Sequence, residues 1–281
     1  QSDTDIWRAD LAGGEDLRRV LSSSRYDSCP QFSPDGKKVA FLSDDGPMLR
    51  LYVSDPDGAN KLDLARVARP FPGPARWSPD GARIVFECQD AGNDDLCVVP
   101  AGGGAIRRIT QHPARDCLAS WSRDGKWFYF ASNRSGSFQV WKMPADGNEA
   151  EAVQLTQGGG FSPLEAPDGA TVYFTKEPGP ADIWNIPAGG GRESRVGDLR
   201  ILGPSQSFEV SAQGIYFGSS PEPARSFDLM FYRFSTGKTE MISKIRKPLW
   251  HGLSVSPDGR WLLFTAFGTH PGDLYMVENF R

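Results

Sequence analysis

The tetrapeptide Ser33-Pro34-Asp35-Gly36 returns as Ser78-Pro79-Asp80-Gly81, Ser122-Arg123-Asp124-Gly125, Ala166-Pro167-Asp168-Gly169 and Ser256-Pro257-Asp258-Gly259, with a degenerate copy at Ser211-Ala212-Gln213-Gly214. The third positions are 35, 80, 124, 168, 213 and 258, so the intervals are 45, 44, 44, 45 and 45 residues. A period this constant is the mark of stacked, repeated units. It leaves little room for any architecture in which the six segments differ.

Each unit follows one pattern. An apolar residue stands three before the Asp (Phe32, Trp77, Trp121, Val210, Val255); the fourth unit departs from this with Glu165. Pro then presets φ and Gly supplies the positive φ of a tight turn. A β-branched and aromatic strand follows, such as Ile84-Val85-Phe86 or Phe128-Tyr129-Phe130, and after a polar turn a third, such as Leu96-Cys97-Val98 or Ile183-Trp184-Asn185. A short fourth strand closes most units, as at Arg108-Ile109-Thr110. Four short antiparallel strands in 44 to 45 residues are the arithmetic of a propeller blade. One blade cannot bury both faces, and a ring of them does.

The expected fold is therefore an all-β, six-bladed β-propeller of four-stranded antiparallel blades, forming a single domain over residues 1–281. The expected blades are approximately 27–69, 70–114, 115–158, 159–203, 204–248, and 249–281 completed by about 16–22. Closure is expected through the N-terminal strand Arg18–Leu21 joining the last blade, whose third strand is read at Asp273–Met276. That reading counts 25 strands where 24 suffice and leaves Asp5–Arg8 surplus, although Asp5-Ile6-Trp7 also has the third-strand pattern.

The repeat with its F/W-S-P-D-G turn and following I/L-W/Y strand resembles the WD-like repeats of the TolB family along essentially the whole chain. The resemblance implies the propeller fold, a periplasmic setting and protein partners. The extra N-terminal domain of that family is not in this sequence, so the Tol-system role does not carry over on the repeat alone. The run Lys247–Leu253 with terminal Val277–Arg281 is in turn similar to the C-termini of bacterial regulators that join a winged helix, a membrane helix and a TolB-like propeller. That similarity implies an extracytoplasmic sensor module.

Composition narrows the function. Net charge is −4 with no basic block, which argues against nucleic-acid binding. No apolar run approaches the roughly 20 residues of a membrane span. The first residue is Gln, so the chain is expected to be a processed or trimmed piece of something longer. Of the four cysteines, Cys88 and Cys97 fall on consecutive strands. They are read as small apolar fillers, with a cross-hairpin disulfide as the alternative, which would point to an oxidising compartment.

Catalytic signatures are not found. There is no G-x-S-x-G or H-E-x-x-H, and only His112, His251 and His270 are present. Gly102–Gly104 and Gly189–Gly191 precede strands and read as hairpin turns, and Asp55-Pro56-Asp57-Gly58 lacks the Glu of a calcium loop. The chain is expected to be no enzyme, to need no cofactor and to hold no metal. It is read as a binding or sensor module for a protein, peptide or small molecule, with an envelope scaffold as the alternative and a metal-dependent lyase or hydrolase as a weaker one.

The default site is the channel mouth where the innermost strands begin. The candidates there are Asp27, Arg76, Asp116, Gln206, Glu209, Trp250 and His251. Trp250 would stack on a ligand, His251 would hydrogen-bond or respond to pH, Arg76 would pair an anion, and Asp116 with Glu209 would take amines or hydroxyls. The competing reading has Asp27 and Asp116 capping loops, Arg76 paired with a neighbouring blade and Trp250 filling space. Glu165 is read as a product of its unit's degeneracy.

Overall fold

The computed structural model describes residues 4–11, 17–23, 26–44, 49–67, 73–90, 92–202, 206–219 and 226–267. It forms six four-stranded antiparallel sheets. The chain opens with β1 (Thr4–Asp10) and β2 (Leu17–Leu21). Blade 1 is β3 (Asp27–Phe32), β4 (Val39–Asp44), β5 (Leu49–Ser54) and β6 (Leu62–Arg66). Blade 2 is β7 (Arg76–Trp77), β8 (Arg83–Asp90), β9 (Asn93–Pro100) and β10 (Arg107–Arg108). Blade 3 is β11 (Asp116–Trp121), β12 (Trp127–Ser132), β13 (Gln139–Pro144) and β14 (Val153–Gln154). Blade 4 is β15 (Phe161–Glu165), β16 (Thr171–Thr175), β17 (Ala181–Pro187) and β18 (Ser194–Ile201), and blade 5 is β19 (Phe208–Val210), β20 (Gly214–Ser219), β21 (Phe227–Arg233) and β22 (Lys238–Ile245). Blade 6 joins β23 (Leu253–Val255) and β24 (Trp261–Phe267) to β1 and β2.

Ring closure differs from the sequence expectation. β1 lies directly against β24 from Thr4↔Phe267 to Asp10↔Trp261, and β2 lies outside it. Two N-terminal strands therefore complete the last blade, and Asp5–Arg8 is its third strand rather than a surplus. The Asp273–Met276 segment, expected in that slot, lies outside the described residues. The pairing has a plain physical basis: a seven-residue ladder that puts Ile6 and Ala9 into the core.

Six apolar clusters occupy the six blade–blade interfaces, because alternate strand residues face opposite neighbours. Ala40 and Leu42 pack with Ile84 and Phe86 of blade 2, whereas Val39 and Phe41 pack with Ile6 and Leu263 of blade 6. Each buried Phe or Leu contributes about 1.5–3 kcal/mol.

The repeated turn is built the same way in blades 1, 2, 3 and 6. In blade 1 the Ser33 hydroxyl donates to Asp35 at 2.7 Å, the Lys37 amide donates to the same carboxylate, and the Lys38 amide donates to the Ser33 hydroxyl. Gly36 takes φ 70°. These bonds hold Asp35, Asp80, Asp124 and Asp258 below the usual carboxylate range, the Ser hydroxyl first.

Cys88 and Cys97 form a disulfide between β8 and β9, with Cα atoms 5.8 Å apart. The small-filler reading of this pair is thereby corrected. Cys29 and Cys117 are free and buried. Among the described residues no helix is long and apolar enough to cross a membrane.

Candidate functional site

The innermost strands line a central channel. At the end where those strands begin, the head end, three of them bulge at a residue in the left-handed region, Cys29 (φ 55°), Leu118 (55°) and Ser162 (51°), and Gly252 (81°), just before β23, shares that conformation. Each stands six residues before the Asp of its turn (35−29, 124−118, 168−162, 258−252). Three are not glycine, at a cost of about 1–2 kcal/mol each. Neighbouring blades hold two of the bulges. The Cys29 amide donates to Thr265 Oγ1 at 3.1 Å. The Leu118 amide donates to Glu87 Oε1 at 2.9 Å, which also accepts from the Gly73 amide at 2.8 Å. Burial raises the Glu87 carboxyl above its usual range.

Beside the bulges, among the described residues, lies a small cavity of about 10 Å³ lined by Pro74, Arg76, Leu118, Ser162 and Gln206. At the opposite end the channel opens into a funnel of about 490 Å³, rimmed by residues of the repeated turns of all six blades. The funnel thus lies at the turn end, whereas the sequence reading set its candidate site at the head end, part of whose loops fall outside the described residues.

Arg76 and Glu209 come together at the floor of the funnel. Arg76 Nη1 donates to Glu209 Oε2 at 2.8 Å and to Gln31 Oε1 at 2.6 Å. Blades 1, 2 and 5 are joined across the channel in this way.

Gln206, His251 and Trp250 form a second group at the head end. His251 Nδ1 lies 3.1 Å from Gln206 Oε1. The Trp250 ring packs against His251 (5.0 Å) and Phe267 (4.9 Å), and its indole N–H donates to the Tyr26 hydroxyl. Burial pushes His251 down to about 4, so this imidazole is neutral near pH 7. Trp250 is engaged by its neighbours rather than left as an open platform.

Asp27 and Asp116 line neither channel cavity. Asp27 is 1% exposed, and burial raises its carboxyl. Asp116 is fully buried and accepts Arg134 Nη2 at 2.8 Å, with Glu149 as the second acceptor at 2.9 Å. Asp116 is held within its blade by Arg134.

Several funnel residues escaped the sequence reading. Trp77 Nε1 donates to the Gln31 carbonyl and Trp121 Nε1 to the Arg76 carbonyl, each at 3.1 Å, so both indoles bind the preceding blade's inner strand. Glu165 makes the equivalent link in blade 4. It accepts the Tyr129 hydroxyl and the Arg123 amide, each at 2.6 Å. Arg123 extends to the Val210 carbonyl of blade 5. Glu165 is therefore a fastening residue, not a slip of register. The signal was its position, three before the Asp, where Trp77 and Trp121 stand.

The funnel offers guanidinium, carboxylate, indole and backbone groups. Among the described residues no group of three or more His, Cys, Asp or Glu side chains is placed to hold a metal.

Comparisons with known proteins agree with this geometry. The family model described as the TolB beta propeller domain matches residues 12–163, just over half of the chain. The uncharacterized protein Atu1656 of Agrobacterium fabrum is 26% identical over 220 residues, 77% of this chain and 68% of the relative. The Tol-Pal system protein TolB of Bordetella pertussis is 30% identical over 158 residues, which are 40% of this chain and 36% of that protein. A solved structure of a provisionally assigned TolB from Agrobacterium tumefaciens superposes with TM-score 0.72 at 21% identity, covering 96% of this chain and 100% of its own. At that identity the superposition speaks to fold alone. The family match, the six sheets and the repeated turn lead to one statement: the chain belongs to the TolB beta propeller domain family.

Proposed function

We propose that this chain is a non-catalytic, cell-envelope protein-binding module that takes its partner at the turn end of the channel. The observation that carries the reading is the funnel, to which all six turns contribute and whose floor is the Arg76–Glu209–Gln31 contact. A broad, preformed concavity with a few convergent polar groups suits a protein segment. The Bordetella relative belongs by name to the Tol-Pal system, which favours a scaffold that works through partners. The Cys88–Cys97 disulfide favours an extracytoplasmic setting, where such bonds persist. The other reading, a sensor module of a winged-helix regulator that binds a small molecule, is supported only by the C-terminal sequence run.

Site-specific photocrosslinking in the native bacterium tests the proposal. A photoreactive residue at Gln213, on the funnel rim, is expected to yield a discrete adduct with one envelope protein, and Arg76→Ala is expected to remove it. A photoreactive residue at Met241, 60% exposed on an outer strand, is expected to yield none. Equal adducts from both positions would refute the funnel as the site.

A further inference from the structure

From the cleft between blades 1 and 2 we infer that this face takes an arginine or lysine side chain of the protein partner. The inference rests on the protein-binding reading above and names a chemical feature of the partner. The cleft has a volume of about 650 Å³ and shares Ser33, Pro34, Trp77 and Pro79 with the funnel. A segment seated in the funnel therefore reaches it without leaving the surface.

The next two clefts show what belongs there. Between blades 2 and 3, Arg107 donates to the carbonyls of Asp146 (2.6 Å) and Ala145 (3.2 Å). Between blades 3 and 4, Lys142 donates to the Ala188 carbonyl at 3.0 Å. Ala145 and Ala188 hold equivalent places: each amide donates to the carbonyl two residues after the turn Asp, Lys126 and Ala170. Ala101 of blade 2 makes the same bond to Ala82. Its carbonyl is thus the third member of the series.

Among the described residues blade 1 sends no cation to it. Arg107 pairs with Val98 in its own sheet, and the residue paired with the equivalent Val53 is Leu62. Leu62 is 40% exposed and cannot donate a hydrogen bond. Nor does Val53 supply what Lys142, at the same position of blade 3, supplies to the next cleft. The aromatic wall has the same gap. Arg83 covers the Trp121 ring at 4.8 Å, whereas the corresponding Lys38 turns away to Asp55 at 2.6 Å. No cation among the described residues lies over Trp77.

What remains is an aromatic face, an apolar wall of Val53 and Leu62, a carbonyl acceptor and two carboxylates, Asp35 and Asp80. Lys38 also lines the cleft, and Asp55 balances its charge. A basic side chain matches each element: its stem covers the apolar wall and its head meets the carbonyl and the ring. The protein's own Arg107 and Lys142 are the templates for this fit.

The probe is a capped Gly-Arg-Gly peptide, followed by the indole N–H resonance of Trp77, which Trp77→Phe identifies. Saturable shifts of that resonance are expected, with at least tenfold weaker binding in Leu62→Arg, whose added guanidinium fills the cleft, and unchanged binding in Met241→Arg, on an exposed outer strand of blade 5. Shifts that do not saturate, or that persist in Leu62→Arg, overturn the inference. In the crosslinking experiment Leu62→Arg is expected to lower the Gln213 adduct severalfold. An adduct lost in Arg76→Ala but undiminished in Leu62→Arg leaves the funnel standing and overturns the cleft. An adduct undiminished in both overturns the two together. If spermidine competes with the peptide while Leu62→Arg keeps the full adduct, the cleft serves small cations, and the inference is again overturned.

Discussion

The guanidinium of Arg76 and the carboxylate of Glu209 meet at 2.8 Å from opposite sides of the ring. Blades 2 and 5 are three apart in a ring of six, so this contact crosses the channel, and it sets the floor of the funnel. Both side chains keep some access to solvent, 11% for Arg76 and 20% for Glu209. They are screened only in part, and a ligand carboxylate can compete for the guanidinium.

The pair should therefore couple measurably. Arg76→Ala and Glu209→Gln, alone and combined, are expected to give a coupling energy of about 1–2 kcal/mol in urea unfolding. That is more than exposed surface pairs give. A coupling near zero would mean that the contact does not persist in solution.

His251 predicts a pH dependence of definite sign. Its folded value of about 4 lies below the ordinary 6.5, so the unfolded chain binds the proton first as pH falls. The stability it confers is complete above about pH 6.5 and is lost as pH drops towards 4. The full difference corresponds to about 3 kcal/mol. Relative to His251→Asn, the wild type should lose stability across that window and nowhere above it. A proton NMR titration placing the imidazole near 6.5 would remove the basis of this prediction.

The turns and the strand order were legible because their chemistry is local. Ser, Asp and Gly within four residues build the turn unaided, and β-branched or aromatic runs follow it. Closure was not legible, since Asp5–Arg8 and Asp273–Met276 carry the same third-strand pattern and sequence alone does not say which fills the slot. The funnel at the turn end was hidden for a different reason. It depends on how far inner-strand side chains reach between blades: Arg76 to Glu209 over 133 residues, Trp121 to the Arg76 carbonyl over 45. Trp77 and Trp121 look like core in sequence, and their indole donors find partners only once the ring is assembled.

Reduction of the Cys88–Cys97 disulfide should weaken the fold moderately. The bridge spans 9 residues, and loop-closure entropy then gives about 2.5 kcal/mol. The β8–β9 hairpin already holds the two strands together, so the measured loss should not exceed this. Urea midpoints with and without reductant check it. Thiol titration of the non-reduced protein should find no reactive cysteine when native and two after denaturation, because Cys29 and Cys117 are buried.

Gly252 and Gly259 separate backbone strain from crowding. Both have positive φ, 81° and 70°. A Cβ at Gly259 would meet nothing within 4 Å, whereas one at Gly252 would lie 2.7 Å from the Cys29 Cα and 3.3 Å from its carbonyl carbon. Gly259→Ala should therefore cost about 1 kcal/mol, the left-handed penalty alone. Gly252→Ala adds a clash with the backbone of the adjoining blade, and its cost should reach about 3 kcal/mol or more. Cys29 is itself held at φ 55° by the bond from its amide to Thr265, so its backbone cannot move aside without breaking that bond. Equal losses for the two variants in urea unfolding would show that the blade 6–blade 1 seam is looser than this packing requires.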